Sequence, residues 1–220
     1  VTSIYNQNRD KSDKQIKQMI KDTLRNVKFY DNRGYFFIYD MNGKNILHPI
    51  LPQLEEKNLL NFQDSKGTYI IKEIIDMIKE KKEGFFNWWW NKPNDKETEY
   101  AKIGFNKYFE PFDWVIGTGE YVVDYEAELQ KELLEKIQKI RYGKNGYIFI
   151  GNYDGINLSH INKKIIGTSI LHFKDSNGFM LVQEIIKLAK KGGGYLTYGG
   201  IIMPSTGKIN HKISYVKGLE

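Results

Sequence analysis

Cysteine is absent from the chain. Disulfide frameworks, thiolate nucleophiles and zinc–thiolate sites are therefore excluded, and no redox compartment is implied. Histidine is scarce: four residues, far apart, form no His-x-x-x-His or His-x-x-Glu-His pattern, so neither a metal site nor a cofactor is expected. No apolar run approaches the roughly 18 residues that cross a bilayer as a helix. A dense basic block is also missing. The net charge of +6 comes from 33 basic residues interspersed with 27 acidic ones. Runs such as Glu80-Lys81-Lys82-Glu83 and Glu132 to Lys139 read as solvated helix faces, not as a nucleic-acid footprint.

Enzyme signatures are missing in the same way. Ser205-Thr206-Gly207-Lys208 lacks both the glycine five residues before Gly207 and the hydroxyl residue after its lysine, so it is no phosphate loop. Gly117-Thr118-Gly119 lacks a third glycine, and no Gly-x-Ser-x-Gly occurs. Asp64 with His48 is the one acid–base pair on offer, and no catalytic activity is expected. Val1 in place of methionine, with no signal-peptide pattern, reads as a segment excised from a longer protein; Leu219-Glu220 is either native or a cloning remnant.

What the chain does contain is a duplication. Gly34, Tyr35, Phe37, Ile38, Gly43, Asn45 and His48 recur as Gly146, Tyr147, Phe149, Ile150, Gly155, Asn157 and His160, all at an offset of 112 residues. A period that long is domain-sized, so two copies of one module are expected. Each copy begins with a hairpin turned at Asn42-Gly43 or Asp154-Gly155, where positive φ is tolerated. An amphipathic helix follows, with Ile70, Ile71, Ile74, Ile75 and Ile78 in one copy and Leu181, Val182, Ile185, Ile186 and Leu188 in the other. Gly84 and Gly192-Gly193-Gly194 are expected to cap those helices.

Aromatic strands come next, Phe85 to Trp90 and Tyr195 to Tyr198, then Tyr100 to Lys107 and Asn210 to Lys217. The first copy closes with Trp114 to Tyr121, whose counterpart falls near residues 224–231, past the end of the sequence. The expected architecture is α+β. A long N-terminal helix (1–28) precedes a first module (29–121), a connecting helix (122–141) and an incomplete second module (142–220), each module a five-stranded antiparallel sheet with flanking helices.

Several side chains invite a functional reading beside a structural one. Lys102 sits in an otherwise apolar strand; it either snorkels outward or points its ammonium into the domain, where it needs an anionic partner. Trp88 and Trp90 share one strand face, as do Tyr35 and Phe37; aromatics at this spacing form core or wall a small water-excluding pocket. His48 ends its hairpin and either bonds the next loop or faces the pocket. Asp64, before its helix, reads as a turn or cap carboxylate.

These pieces together resemble the tandem Cache domain, the paired PAS-like extracytoplasmic sensor of bacterial chemoreceptors and histidine kinases. The likeness is carried by the Gly-Tyr-x-Phe hairpin ending in His48-Pro49, the Asp-x-x-Gly at 64–67 and 175–178, and the tryptophan strand 88–90. Lys212 to Lys217, echoed at 102–107, and Trp114 to Tyr121 complete it. The second copy departs from the pattern with Ile161 in place of proline and no tryptophan strand.

The resemblance implies a periplasmic ligand-binding domain of a membrane receptor, dimeric through its N-terminal helix and anchored by spans outside this segment. It implies a small organic anion, such as a short carboxylate, in the first module. Lys102 would pair with the acid, with Trp88, Trp90, Tyr35, Phe37, His48 and Asp64 around it; Lys212, Asp175, Tyr147 and His160 are the second-module equivalents. An amino acid or urea-like amide, held through Asp64, is the alternative ligand, and a ligand-free structural module is the alternative role.

Overall fold

The computed structural model describes residues 1–175, 177–202 and 206–219. Ser205 of the phosphate-loop-like segment, Ser176 of the second Asp-x-x-Gly, and Glu220 lie outside these. The chain divides into two compact units, residues 1–127 and 128–220.

Unit 1 opens with two helices, α1 (Thr2–Gln7) and α2 (Asp13–Arg25), and not with one long helix over 1–28. The break has a local cause. Ser12 begins α2 with a capping box: its hydroxyl accepts from the Gln15 N–H, and its own N–H donates to the Gln15 side chain at 3.0 Å. Nor does α2 project from the domain. Ile16, Ile20 and Leu24 are buried against Ile38, Leu47, Phe109, Phe112 and Trp114 on one face of a sheet.

That sheet is wholly antiparallel. Its strands are β1 (Lys28–Phe29), β2 (Gly34–Asp40), β3 (Asn45–Leu47), β4 (Glu83–Lys92), β5 (Asp95–Phe109) and β6 (Trp114–Tyr121). The lateral order is β4–β5–β6–β2, with β1 and β3 both pairing along the outer edge of β2. Six strands form where five were expected, because the short run at Lys28–Phe29 pairs with Gly34–Tyr35. The hairpin turn is held by Asp40, whose carboxylate accepts the N–H groups of Asn42 and Lys44 at 2.9 Å, with Gly43 at φ +82°.

The second face is covered by α3 (Ile70–Lys81). Its five buried isoleucines pack on Tyr35, Phe37, Tyr39, Trp88 and Trp90, each contributing about 1.5–3 kcal/mol of hydrophobic stabilisation. The helix ends at Lys82, in the left-handed region at φ 64°. Gly84 is not the cap; it lies in β4, where a Cβ would press on the Met77 sulfur at 2.8 Å. The division between units falls within α4 (Val122–Gln138), which buries no residue and leaves Val123, Tyr125, Leu129 and Leu133 exposed.

Unit 2 repeats the order of elements in β7 (Arg141–Tyr142), β8 (Gly146–Tyr147), β9 (Ile150–Gly151), β10 (Asn157–Ser159), α5 (Leu181–Lys190), β11 (Gly194–Ile202) and β12 (Ile209–Val216). Its turn repeats too: the Asn152 side-chain oxygen takes the place of Asp40, accepting from Asp154 and Ile156, with Gly155 at φ +78°. The glycine triplet does close α5, through Gly192 and Gly193 N–H bonds to Ala189 and Leu188.

The expected five-stranded sheet is not formed here. Among the described residues, unit 2 has three separate two-stranded ladders, β7–β8, β9–β10 and β11–β12. In unit 1, β6 lies between β2 and β5 and joins the two halves; no described segment of unit 2 takes that position.

Candidate functional site

Alternation along β2 and β4 sends Tyr35, Phe37 and Tyr39, with Trp88 and Trp90, to the face beneath α3. Together with His48 and Ile70, Ile71 and Ile74 they enclose a cavity of about 20 Å³, measured to the centre of a water molecule and hence room for one or two waters. Five residues marked by the sequence meet there: Tyr35, Phe37, His48, Trp88 and Trp90. Neither Lys102 nor Asp64 is on its wall.

Lys102 lies immediately behind that wall. It is 1% exposed, with its ammonium 4.3 Å from the ring centre of Tyr35, 4.5 Å from Tyr121 and 5.9 Å from Trp88. Glycines in β6 make the room. A Cβ at Gly119 would meet the Lys102 Cε at 3.1 Å, and one at Gly117 would enter the Phe37 ring. Among the described residues no carboxylate forms an ion pair with Lys102. Burial pushes the ammonium down to about 7, with the more distant Glu120 opposing.

Near Lys102, the Tyr121 hydroxyl donates to the Asn91 carbonyl. Burial raises the Tyr35 and Tyr121 phenols well above their ordinary value, so both stay protonated.

His48 is 3% exposed and stacks loosely on Tyr35 and Trp90, with ring centres 5.3 and 5.8 Å away. Its Nδ1 accepts the Leu51 N–H at 3.1 Å. Both sequence readings of His48 therefore hold, since it bonds the following loop and faces the cavity. Burial and the Lys102 charge push it down to about 3. The ring is neutral, with Nδ1 engaged as acceptor, so its proton is on Nε2, available as a donor. Behind it, the His48 N–H donates to Glu55, and Glu55 pairs with Arg25 of α2 at 2.8 Å. The cavity wall is thus tied to the helix on the opposite face.

Asp64 is spent on structure. One carboxylate oxygen accepts the N–H groups of Lys66 and Thr68 at 2.9 Å, and the other accepts Trp89 N–H at 3.0 Å. Burial opposes its ionisation, but the three N–H bonds prevail and hold it below the ordinary value. Asp64 thus holds the turn and β4 together, and it is not on the cavity wall.

In unit 2 the Lys212 ammonium lies 3.6 Å from the Tyr147 ring centre and 5.7 Å from Phe149, and burial pushes it down to about 8. The Tyr147 hydroxyl is 3.2 Å from His160 Nε2. Three of the four second-copy residues therefore cluster. Asp175 again stands apart as a clamp, accepting from Asn177, Phe179 and Gly199. Gly199 occupies the place of Trp89, and beside it a more open hollow of about 490 Å³ runs past Asp175, Tyr198 and His211.

Two residues at the site went unread. Tyr121 closes the Trp-Val-Ile-Gly-Thr-Gly-x-Tyr run and faces Lys102 in register; that pairing was legible in principle. Lys28 reaches Tyr35 only through the two-residue β1, which no pattern announces.

Unit 1 is thus a sheet with a helix on each face, folded around an aromatic hollow with a cation beside it. The chain belongs to the Cache domain family, whose profile matches residues 1–220. It is 35% identical over 104 residues to the methyl-accepting chemotaxis protein McpP of Pseudomonas putida, covering 47% of this chain and 19% of that protein. It is 33% identical over 116 residues to the sensor histidine kinase MctS of Rhizobium johnstonii, covering 53% and 24%. The chain thus spans about a fifth to a quarter of the curated relatives it matches.

Among solved structures, a Cache chemosensory domain described for carboxylic acid recognition is 26% identical with a TM-score of 0.51, covering 54% of this chain and 79% of that one. A periplasmic sensor domain of a chemotaxis protein is 27% identical, also with a TM-score of 0.51, covering 55% and 82%. Cache domains of such receptors and kinases are non-catalytic, periplasmic ligand-binding modules. Among the described residues no helix is long and apolar enough to cross a membrane.

Proposed function

We propose that the chain is the extracytoplasmic part of a transmembrane receptor, built of two tandem Cache modules, and that unit 1 binds a short carboxylate. The observation that carries this reading is the Lys102 ammonium, buried beside the cavity and, among the described residues, in no ion pair with a carboxylate. A buried cation without a counter-ion is costly, and a ligand carboxylate supplies the missing charge through charge-assisted hydrogen bonds. His48, whose Nδ1 is engaged by the Leu51 N–H, offers its Nε2–H as a second donor. The acid's short apolar part lies against Phe37, Trp88, Trp90 and the α3 isoleucines. The solved likeness to a domain that recognises carboxylic acids supports the same ligand class.

The cavity is small, so the ligand is small, and admitting it moves the sheet against α2 and α3. The Glu55 link from His48 to Arg25 carries that displacement toward α2. A receptor requires only that the ligand favour one of two such packings. The carboxylate is preferred to an amino acid because Asp64, which would take the amino group, is not on the cavity wall and already holds three N–H groups. The Lys212 cluster is a weaker second site. A homodimer would use the outer faces of α1 and α2, since the apolar stripe of α2 is already buried against its own sheet.

The test is a thermal-shift panel of short carboxylic acids, amino acids and amides. A short acid at about a hundred times its Kd stabilises the fold by about 2.7 kcal/mol. Silence from every acid in the panel would sink the reading.

A further inference from the structure

Lys28 has no role in the acid site as described. It emerges from α2 two residues after the Asn26 cap and pairs across to Tyr35. Cross-strand partners project to the same side of a sheet, so Lys28 stands on the cavity side. Its Nζ is shielded from solvent and has no hydrogen-bond partner. It lies 5.5 Å from the Tyr35 ring centre, and the Lys102 ammonium lies 4.3 Å from that same centre. Among the described residues neither lysine forms an ion pair.

The two cations differ in surroundings. Lys102 is deep, bracketed by Tyr35, Tyr121 and Trp88. Lys28 is at the sheet margin, half-buried, and its charge bears on His48. An acid held at Lys102 and lying along Tyr35 therefore turns its other end toward Lys28. A carboxylate at Lys102 alone would leave the second ammonium without an acceptor. A 2-oxygen on the acid would supply that acceptor by adding a single heavy atom to a monocarboxylate.

We propose that Lys28 is a specificity-determining contact that receives the 2-oxo or 2-hydroxy oxygen of a short monocarboxylate whose carboxylate is held at Lys102. This rests on the acid-binding reading above and assigns a preference within it.

Isothermal titration of the full chain with pyruvate and with propionate, which lacks the 2-oxygen, tests the proposal. The wild type is expected to prefer pyruvate. Lys28→Met should weaken pyruvate by roughly ten- to a hundredfold, the worth of one hydrogen bond to a charged group, and leave propionate within about twofold. Lys28→Gln, which keeps an N–H donor, should retain part of the preference, and the melting profile of each variant checks its fold. Equal loss for both acids, no loss for either, or a wild type indifferent to the 2-oxygen would overturn this inference alone. Failure of both acids to bind the wild type would instead overturn the acid-binding reading beneath it.

Discussion

The Lys102 ammonium sits 4.3 Å from the centre of the Tyr35 ring and 4.5 Å from that of Tyr121, whose hydroxyl donates to the Asn91 carbonyl. The two rings offer the cation their π faces. A cation–π contact of this kind offsets part of the desolvation cost but cannot replace an anion.

Removing the charge should therefore stabilise the empty domain and disable it. Lys102→Met is expected to raise the melting temperature of the ligand-free chain at pH 7. The gain follows from lifting a burial penalty of about 1.4 kcal/mol for each unit between 10.5 and about 7. The same variant should show no thermal shift with any carboxylate. A variant that melts lower and still binds would place the anion elsewhere.

Binding should depend on pH with a definite sign. Lys102 titrates near 7 in the folded chain and near 10.5 when exposed. Between those values the unfolded chain holds a proton that the folded one has lost, so ligand-free stability rises as pH climbs from about 7 to 10.5. Anion affinity runs the other way, level below about 7 and falling up to tenfold per unit above it, because only the ammonium attracts the acid. His48, pushed to about 3, adds no inflection between pH 5 and 8. Calorimetric titration at pH 6, 7, 8 and 9 reads both expectations.

Asp64→Asn should cost stability and spare affinity. The amide keeps one acceptor oxygen and turns an N–H toward a backbone donor, so at least one charge-assisted bond is lost, worth about 1.5–3 kcal/mol. The wild-type carboxylate lies below its ordinary value, so its contribution is present above about pH 4 and is lost as pH falls through the folded value. Denaturant unfolding from pH 7 down to pH 2 should show the variant lacking that acid-sensitive component.

Gly104→Ala should close the cavity from below. The new methyl would meet the Trp88 ring at 2.4 Å and the Thr118 carbonyl at 2.5 Å, and the carbonyl cannot retreat without disturbing β6. The expected cost is about 1–3 kcal/mol, with acid binding weakened as the indole is driven inward. An unchanged melting curve and an unchanged Kd would mean that Trp88 does not set the cavity's shape.

Much of this was legible before any coordinates, and the reasons are local. The duplicated hairpin, α3 and the Trp88/Trp90 alternation follow from periodic patterning, which reports facing directly; for Lys102 the pattern left snorkelling and burial both open. The fate of Asp64 was readable as a turn, because an aspartate three residues before a glycine commonly accepts nearby N–H groups. What patterning could not supply was pairing at a distance. Lys28 gains its meaning from Tyr35 across a strand of two residues. The α1–α2 break depended on the capping box that Ser12 forms with Gln15. The division of unit 2 into separate two-stranded ladders was not announced by β8, β9 or β12, although the repeat already showed no counterpart of Trp114–Tyr121 among the 220 residues.

The Asp64 carboxylate has a consequence for how the molecule behaves among its neighbours. Trp89 lies on β4, the outermost strand of the sheet, and its N–H is already taken; Asp175 does the same for Gly199. A margin whose amide is occupied is a poor template for a strand from another chain. The residue that tethers each loop also helps keep concentrated copies of the chain from sticking edge to edge.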